Sequence, residues 1–109
     1  MNLRIQWTPI ALLSLSEVFE YTYTEFGERQ LRKLKTQISN TAHRIAAFPG
    51  LGKHETELDK ATGKEYRSIL VISEIKLIYT VAEDTIFIEF VKNVRMDDAT
   101  MLEKIDQEL

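Results

Sequence analysis

Leu3, Ile5 and Trp7 alternate with Arg4 and Gln6, the two-residue period of a short half-buried strand. The period then changes. From Pro9 onward the apolar positions are Ala11/Leu12, Leu15, Val18/Phe19, Tyr23 and Phe26, three and four apart, which is the stripe of an amphipathic helix. Thr8 can cap that helix, and Pro9 suits a first helical position that needs no backbone N–H. Ser14, Glu17, Glu20 and Glu25 fall largely off the stripe. Gly27 can adopt the left-handed conformation that ends a helix. A second stripe follows at Leu31, Leu34, Ile38, Thr41/Ala42, Ile45 and Phe48, predicting a helix from near Glu28 of about 30 Å. A joint as short as Gly27 makes the two helices an antiparallel hairpin, whose stripes must face a further apolar surface.

Phe48-Pro49-Gly50-Leu51-Gly52 stops the second helix and turns the chain. Residues 53–65 are polar and read as a loop, with an edge-strand piece near Leu58. Tyr66–Ile72, Ile75–Val81 and Thr85–Val91 are rich in β-branched and aromatic residues and read as strands. The breaks at Ser73-Glu74 and Glu83-Asp84 permit only antiparallel hairpins, so these strands form a meander. In the middle strand Ile75, Leu77, Tyr79 and Val81 share one face and Lys76, Ile78 and Thr80 the other. In the last, Ile86, Ile88 and Phe90 are expected on one face and Phe87, Glu89 and Val91 on the other. Asp97/Asp98 opens a final helix, Ala99–Leu109, with apolar positions Met101/Leu102, Ile105 and Leu109. The predicted order is β-α-α-β-β-β-α: an α+β domain with a helical hairpin on one face of a mostly antiparallel sheet.

At 109 residues, 44% apolar and 28% charged, the chain has the size and composition of one folded domain, residues 1–109. It has no cysteine, which excludes disulfides, thiolate metal sites and thiol nucleophiles. Neither a membrane-length apolar run nor a signal-peptide start is read, so a cytoplasmic protein without a membrane partner is expected. The net charge of −3 argues against a nucleic-acid binder, but its distribution is uneven. Residues 29–54 hold six bases (Arg29, Arg32, Lys33, Lys35, Arg44, Lys53) and no acid. Residues 97–109 hold five acids and one base. A positive patch concentrates anionic partners whatever the total charge.

No phosphate-binding glycine loop, zinc-protease or serine-hydrolase motif occurs. His43 and His54 fall on different elements, and His54-Glu55-x-Glu57-x-Asp59 lacks the turn glycine and regular oxygen spacing of a hard-metal loop; no metal or cofactor is expected. Arg67 and Lys76 lie in the first two meander strands, and Lys92 and Arg95 at the end of the third. Cations at matched heights on strands about 4.8 Å apart converge and can grip a phosphate. The other reading of the same residues is a set of ordinary outward charges.

Several stretches together resemble the RelE/ParE family of bacterial type II toxins. They are Trp7-Thr8-Pro9 with Ala11, the helix ending in Phe26-Gly27, Phe48-Pro49-Gly50-Leu51-Gly52, Tyr66-Arg67, Ile75–Val81 and Ile86–Arg95. The resemblance implies a growth-inhibiting, plasmid-stabilising toxin held inactive by a co-produced antitoxin in a hetero-oligomer. RelE-like members cleave mRNA in the ribosome without a metal; ParE-like members poison DNA gyrase. It further implies Arg67, Lys76, Lys92 and Arg95 as phosphate- or target-binding residues, with Arg67, Arg95 and Tyr66 as candidates for catalysis. Asn93 stands where many relatives have His, and the last helix has no Tyr, His or Arg, which favours the ParE-like action. Arg29, Arg32, Lys33 and Lys35 on the second helix are the expected landing surface for an acidic antitoxin segment.

Overall fold

The computed structural model describes residues 2–72 and 74–94. In chain order these form β1 (Arg4–Trp7), α1 (Pro9–Phe26), α2 (Glu28–Ala47), one 3-10 turn (Pro49–Leu51), β2 (Lys53–His54), α3 (Thr56–Thr62), β3 (Arg67–Ile72), β4 (Ile75–Ala82) and β5 (Thr85–Asn93). The expected final helix and Arg95 lie outside the described residues.

Thr8 caps α1 as read, its hydroxyl accepting from the Ala11 N–H at 3.1 Å with Pro9 in the first turn. Gly27 joins the helices at φ +88°, a conformation that side-chain-bearing residues rarely adopt, and its N–H closes α1 on the Tyr23 carbonyl. The sheet has five strands in the order β1-β5-β4-β3-β2. β1 runs parallel to β5 at one edge and every other pairing is antiparallel, as the short meander breaks require.

The hairpin lies on one sheet face. Ala11, Val18, Leu34, Ile38, Ala42 and Ile45 pack there against Ile75, Leu77, Tyr79, Ile86, Ile88 and Val91. A smaller cluster on the other face joins Leu58, Tyr66, Ile78 and Phe90, with Ile10 packed against it. The expected facing of the last strand is therefore corrected. A β-bulge shifts the register so that Ile78 pairs with Phe90 but Tyr79 pairs with Ile88. The extra residue, Glu89, moves Phe90 to the second face and Val91 to the first. Both new positions are fully buried, with Phe90 0% and Val91 1% exposed.

Three more expectations change. Ser14 lies under α1 rather than off its stripe, because its hydroxyl accepts from the Val91 N–H at 2.9 Å. β1 pairs with β5 only as far as Ile88; beyond it Ser14, and Thr8 donating to the Glu89 carbonyl, take up the β5 edge. Conversely Tyr23 and Phe26, expected on the buried stripe, are 57% and 61% exposed; Phe26 stands edge-on to Tyr21 at 6.3 Å. Finally, the polar stretch 53–65 is not a plain loop with a strand near Leu58. It contains the two-residue β2 and the helix α3, which Gly63 ends at φ +76° and which exists to bury Leu58.

Among the described residues no helix is long and apolar enough to cross a membrane.

Candidate functional site: two polar clusters on opposite sheet faces

The β3–β4 register decides whether the sheet cations converge. Directly paired residues share a face. Arg67 pairs with Tyr79, whereas Lys76 pairs with Leu70. Arg67 and Leu70 are three positions apart, as are Lys76 and Tyr79, and an odd step along a strand changes face, so Arg67 and Lys76 point to opposite faces. The expected single patch is therefore split. Its odd spacing was countable once the register was known.

Arg67 is committed to the turn after α2. Its Nη1 donates to the Gly52 carbonyl at 2.7 Å and to the Gly50 carbonyl at 3.4 Å, and its Nη2 lies 3.9 Å from Glu65. Tyr79 completes the clamp. Its hydroxyl donates to the Pro49 carbonyl at 2.7 Å and accepts from the Gly52 N–H at 2.9 Å. Burial raises the Tyr79 pKa above the ordinary 10.0, against the lowering by the Gly52 hydrogen bond and by the Arg67 charge. A pocket of about 260 Å³ opens beside the clamp between Pro49, Gly50, Glu65, Arg67, Tyr79 and Thr80. Phe48-Pro49-Gly50-Leu51-Gly52 and Tyr66-Arg67 are thus one structural unit, in which the arginine satisfies carbonyls that the turn leaves without partners.

The second cluster is on the other face. Lys76 Nζ lies 3.4 Å from Glu55 Oε1, and the Ser68 hydroxyl donates to the same oxygen at 2.6 Å. Lys76 and Glu55 have side chains only 18% and 16% exposed. Lys92 pairs directly with Lys76 across the strands and is 8% exposed, so two ammonium groups share one strip of sheet with one carboxylate between β2 and α3. Such a strip can attract an anion, but Glu55 already pairs with Lys76 there. Sequence reasoning placed Glu55 in a solvated loop; the missing signal was β2, which ends at His54 and so sets Glu55 beside β3.

Tyr66 is 1% exposed and sits in the smaller core, its backbone N–H held by Asp59 at 2.6 Å. Arg29, Arg32, Lys33 and Lys35 are all exposed along α2, with Lys35 Nζ 5.3 Å from the centre of the Phe19 ring. Among the described residues no group of histidine and acidic side chains is placed to hold a metal ion.

The fold is shared with chains of solved toxin–antitoxin structures. The fold is similar to a chain of the chromosomal ParDE TA system from P. aeruginosa, with a TM-score of 0.66 and 16% identity over 85% of this chain and 97% of that one. It is also similar to a chain of the YoeB-YefM complex from Staphylococcus aureus, with a TM-score of 0.50 and 27% identity over 84% of this chain and 97% of that one. No curated protein matches. The family model described as ParE toxin of type II toxin-antitoxin system, parDE, matches residues 5–97, and the chain belongs to that family. It is the toxin component of a type II module.

Proposed function

We propose that this toxin arrests growth by binding and blocking DNA gyrase, and that a cognate antitoxin neutralises it in a hetero-oligomeric complex. The observation that carries the proposal is the division of the sheet cations. Cleaving RNA through its 2′-hydroxyl needs a group to take the proton and cations gathered on the developing phosphorane charge. Here Arg67 is bonded to turn carbonyls on one face, while Lys76 faces Glu55 on the other. Family membership supports the same reading.

One observation favours a second reading, a ribosome-dependent, metal-independent mRNA endoribonuclease. Glu55, Ser68, Lys76 and Lys92 bring a carboxylate, a hydroxyl and two ammonium groups to one strip of the second sheet face. Controlled expression separates the two. Blocking gyrase gives growth arrest with DNA-damage signalling and intact mRNA. The nuclease gives codon-linked mRNA ends that disappear in Lys76→Ala and Glu55→Gln.

A further inference from the structure

α3 covers only the middle of the second sheet face, where Leu58 meets Tyr66, Ile78 and Phe90. A cleft of about 560 Å³ opens on that face toward the turn between β4 and β5. Phe87 and Ala82 give it apolar walls, and Thr8, Lys64, Glu65 and Thr80 line it together with Glu89. Thr80 and Ala82 alternate with Val81 and Tyr79 along β4, so they face away from the helical hairpin.

Glu89 is the bulge residue of β5, and it is fixed twice. The Thr8 hydroxyl donates to its carbonyl at 3.3 Å, and the Thr80 hydroxyl donates to its carboxylate at 2.7 Å. Thr80 pairs directly with Phe87, so the carboxylate is held beside that ring on one face. Bulges recur where a sheet re-aims a side chain toward a site. Neighbouring carboxylates already have cations. Glu55 pairs with Lys76, Glu65 lies near His54 and Arg67, and Asp84 lies near Arg4. Glu89 is partly buried, yet no cation lies within 4.0 Å of it among the described residues. A carboxylate so placed is costly without a counter-charge, and a cation that reaches it gains accordingly.

Chemistry selects the cation. An oriented carboxylate beside an aromatic ring suits a guanidinium, which sets its N–H groups on the oxygens and its plane against the ring. Nucleic acid is disfavoured, because Glu65 and Glu89 in the cleft and Glu83 and Asp84 on the adjoining turn repel phosphate. A second copy could offer the arginines of its α2 only head to tail, which leaves an end open to a further copy. We infer that the cleft takes an arginine side chain of the protein that the toxin blocks, with Glu89 as the specificity-determining contact. This rests on the gyrase-blocking reading. Glu89 supplies the charge, Phe87 and Ala82 the apolar wall for the arginine stem, and Thr80 holds the carboxylate in place beforehand.

The test uses the full chain, titrated into a gyrase supercoiling reaction as wild type, Glu89→Gln, Phe87→Leu and Glu83→Gln. Glu89→Gln keeps the side chain's size and its bond to Thr80 but removes the charge. It is expected to raise the half-inhibiting concentration about tenfold or more, and Phe87→Leu about threefold. Glu83→Gln, on the turn outside the cleft, is expected to inhibit as the wild type does. Backbone NMR of the wild type with N-acetylarginine amide is expected to show shifts at Thr80, Ala82, Phe87 and Glu89 that weaken as salt rises. The citrulline counterpart, alike in shape but uncharged, is expected to cause none. This arm needs no variant, so it decides the matter even where a substitution prevents folding. Citrulline acting like arginine overturns the inference, as do shifts confined to other elements. Arginine shifts that appear only in Arg95→Ala overturn it too, since the chain's own arginine is then the occupant. Stronger inhibition by Glu89→Gln overturns it by making the occupant an anion such as a nucleic-acid phosphate. Self-association abolished by Glu89→Gln does so by making it a second copy. Inhibition indifferent to Glu89 sinks the cleft alone, whereas wild-type toxin that leaves gyrase uninhibited sinks the blocking reading.

Discussion

Gly52 has no room for a side chain. A Cβ there meets the Tyr79 hydroxyl at 2.6 Å and the Ser68 carbonyl at 2.8 Å, while one at Gly50 meets nothing within 4 Å. Gly52→Ala is therefore expected to destabilise the protein by about 1–3 kcal/mol, and Gly50→Ala by less than about 0.5 kcal/mol, in thermal or denaturant unfolding. Tyr79 adds a pH signature. Its folded pKa is raised, so the stability it contributes is fully present below the unfolded tyrosine value of about 10 and is lost as pH rises through the folded one. Tyr79→Phe gives up both clamp hydrogen bonds, at a cost of about 1–3 kcal/mol at neutral pH. The gap between the two proteins is expected to narrow in unfolding titrations carried above pH about 10. A gap constant with pH would deny the tyrosine its buried, neutral role.

At the scale of elements, α1 is tied to the sheet by Ser14 as well as by its apolar stripe. Ser14→Ala leaves the Val91 N–H buried without its acceptor and is expected to cost about 1–3 kcal/mol, with faster hydrogen exchange at the Val91 amide. An unchanged exchange rate would mean that the hydroxyl does not hold that edge. Helices and strands with a clean period were legible in the sequence: both long helices, the meander and its order came from spacing alone. What escaped has common physical causes. Ser14 is polar yet buried, because it serves a backbone group on an element 77 residues away. Glu89 breaks the two-residue period, and an inserted bulge residue has no signature in a strand of uniformly apolar neighbours. α3 buries a single leucine, too little for a visible stripe. The cationic site was half legible. Arg67 and Lys76 were recognisable as sheet residues, but their separation onto opposite faces depends on a cross-strand register fixed by tertiary packing.

Across the whole molecule the charge is segregated rather than large. Five cations, Arg29, Arg32, Lys33, Lys35 and Arg44, stand exposed on α2. Reversing two of them, Arg32→Glu with Lys35→Glu, is expected to weaken antitoxin binding about tenfold at low ionic strength, with the difference shrinking as salt rises. Affinity that ignores both the reversal and the salt would remove α2 from the interface. The fold itself is expected to persist, because both positions are exposed on a helix face, each is a good helix former before and after substitution, and the lost Lys35 contact with the Phe19 ring is worth only about 0.5–1 kcal/mol.

The claim that the toxin blocks a target rather than cleaving RNA is tested most directly with purified protein in a gyrase supercoiling reaction, alongside translating ribosomes loaded with a defined mRNA. The account predicts that supercoiling is inhibited in proportion to toxin and restored by the antitoxin, with the mRNA intact. Uninhibited gyrase together with mRNA cut at the ribosome would contradict it.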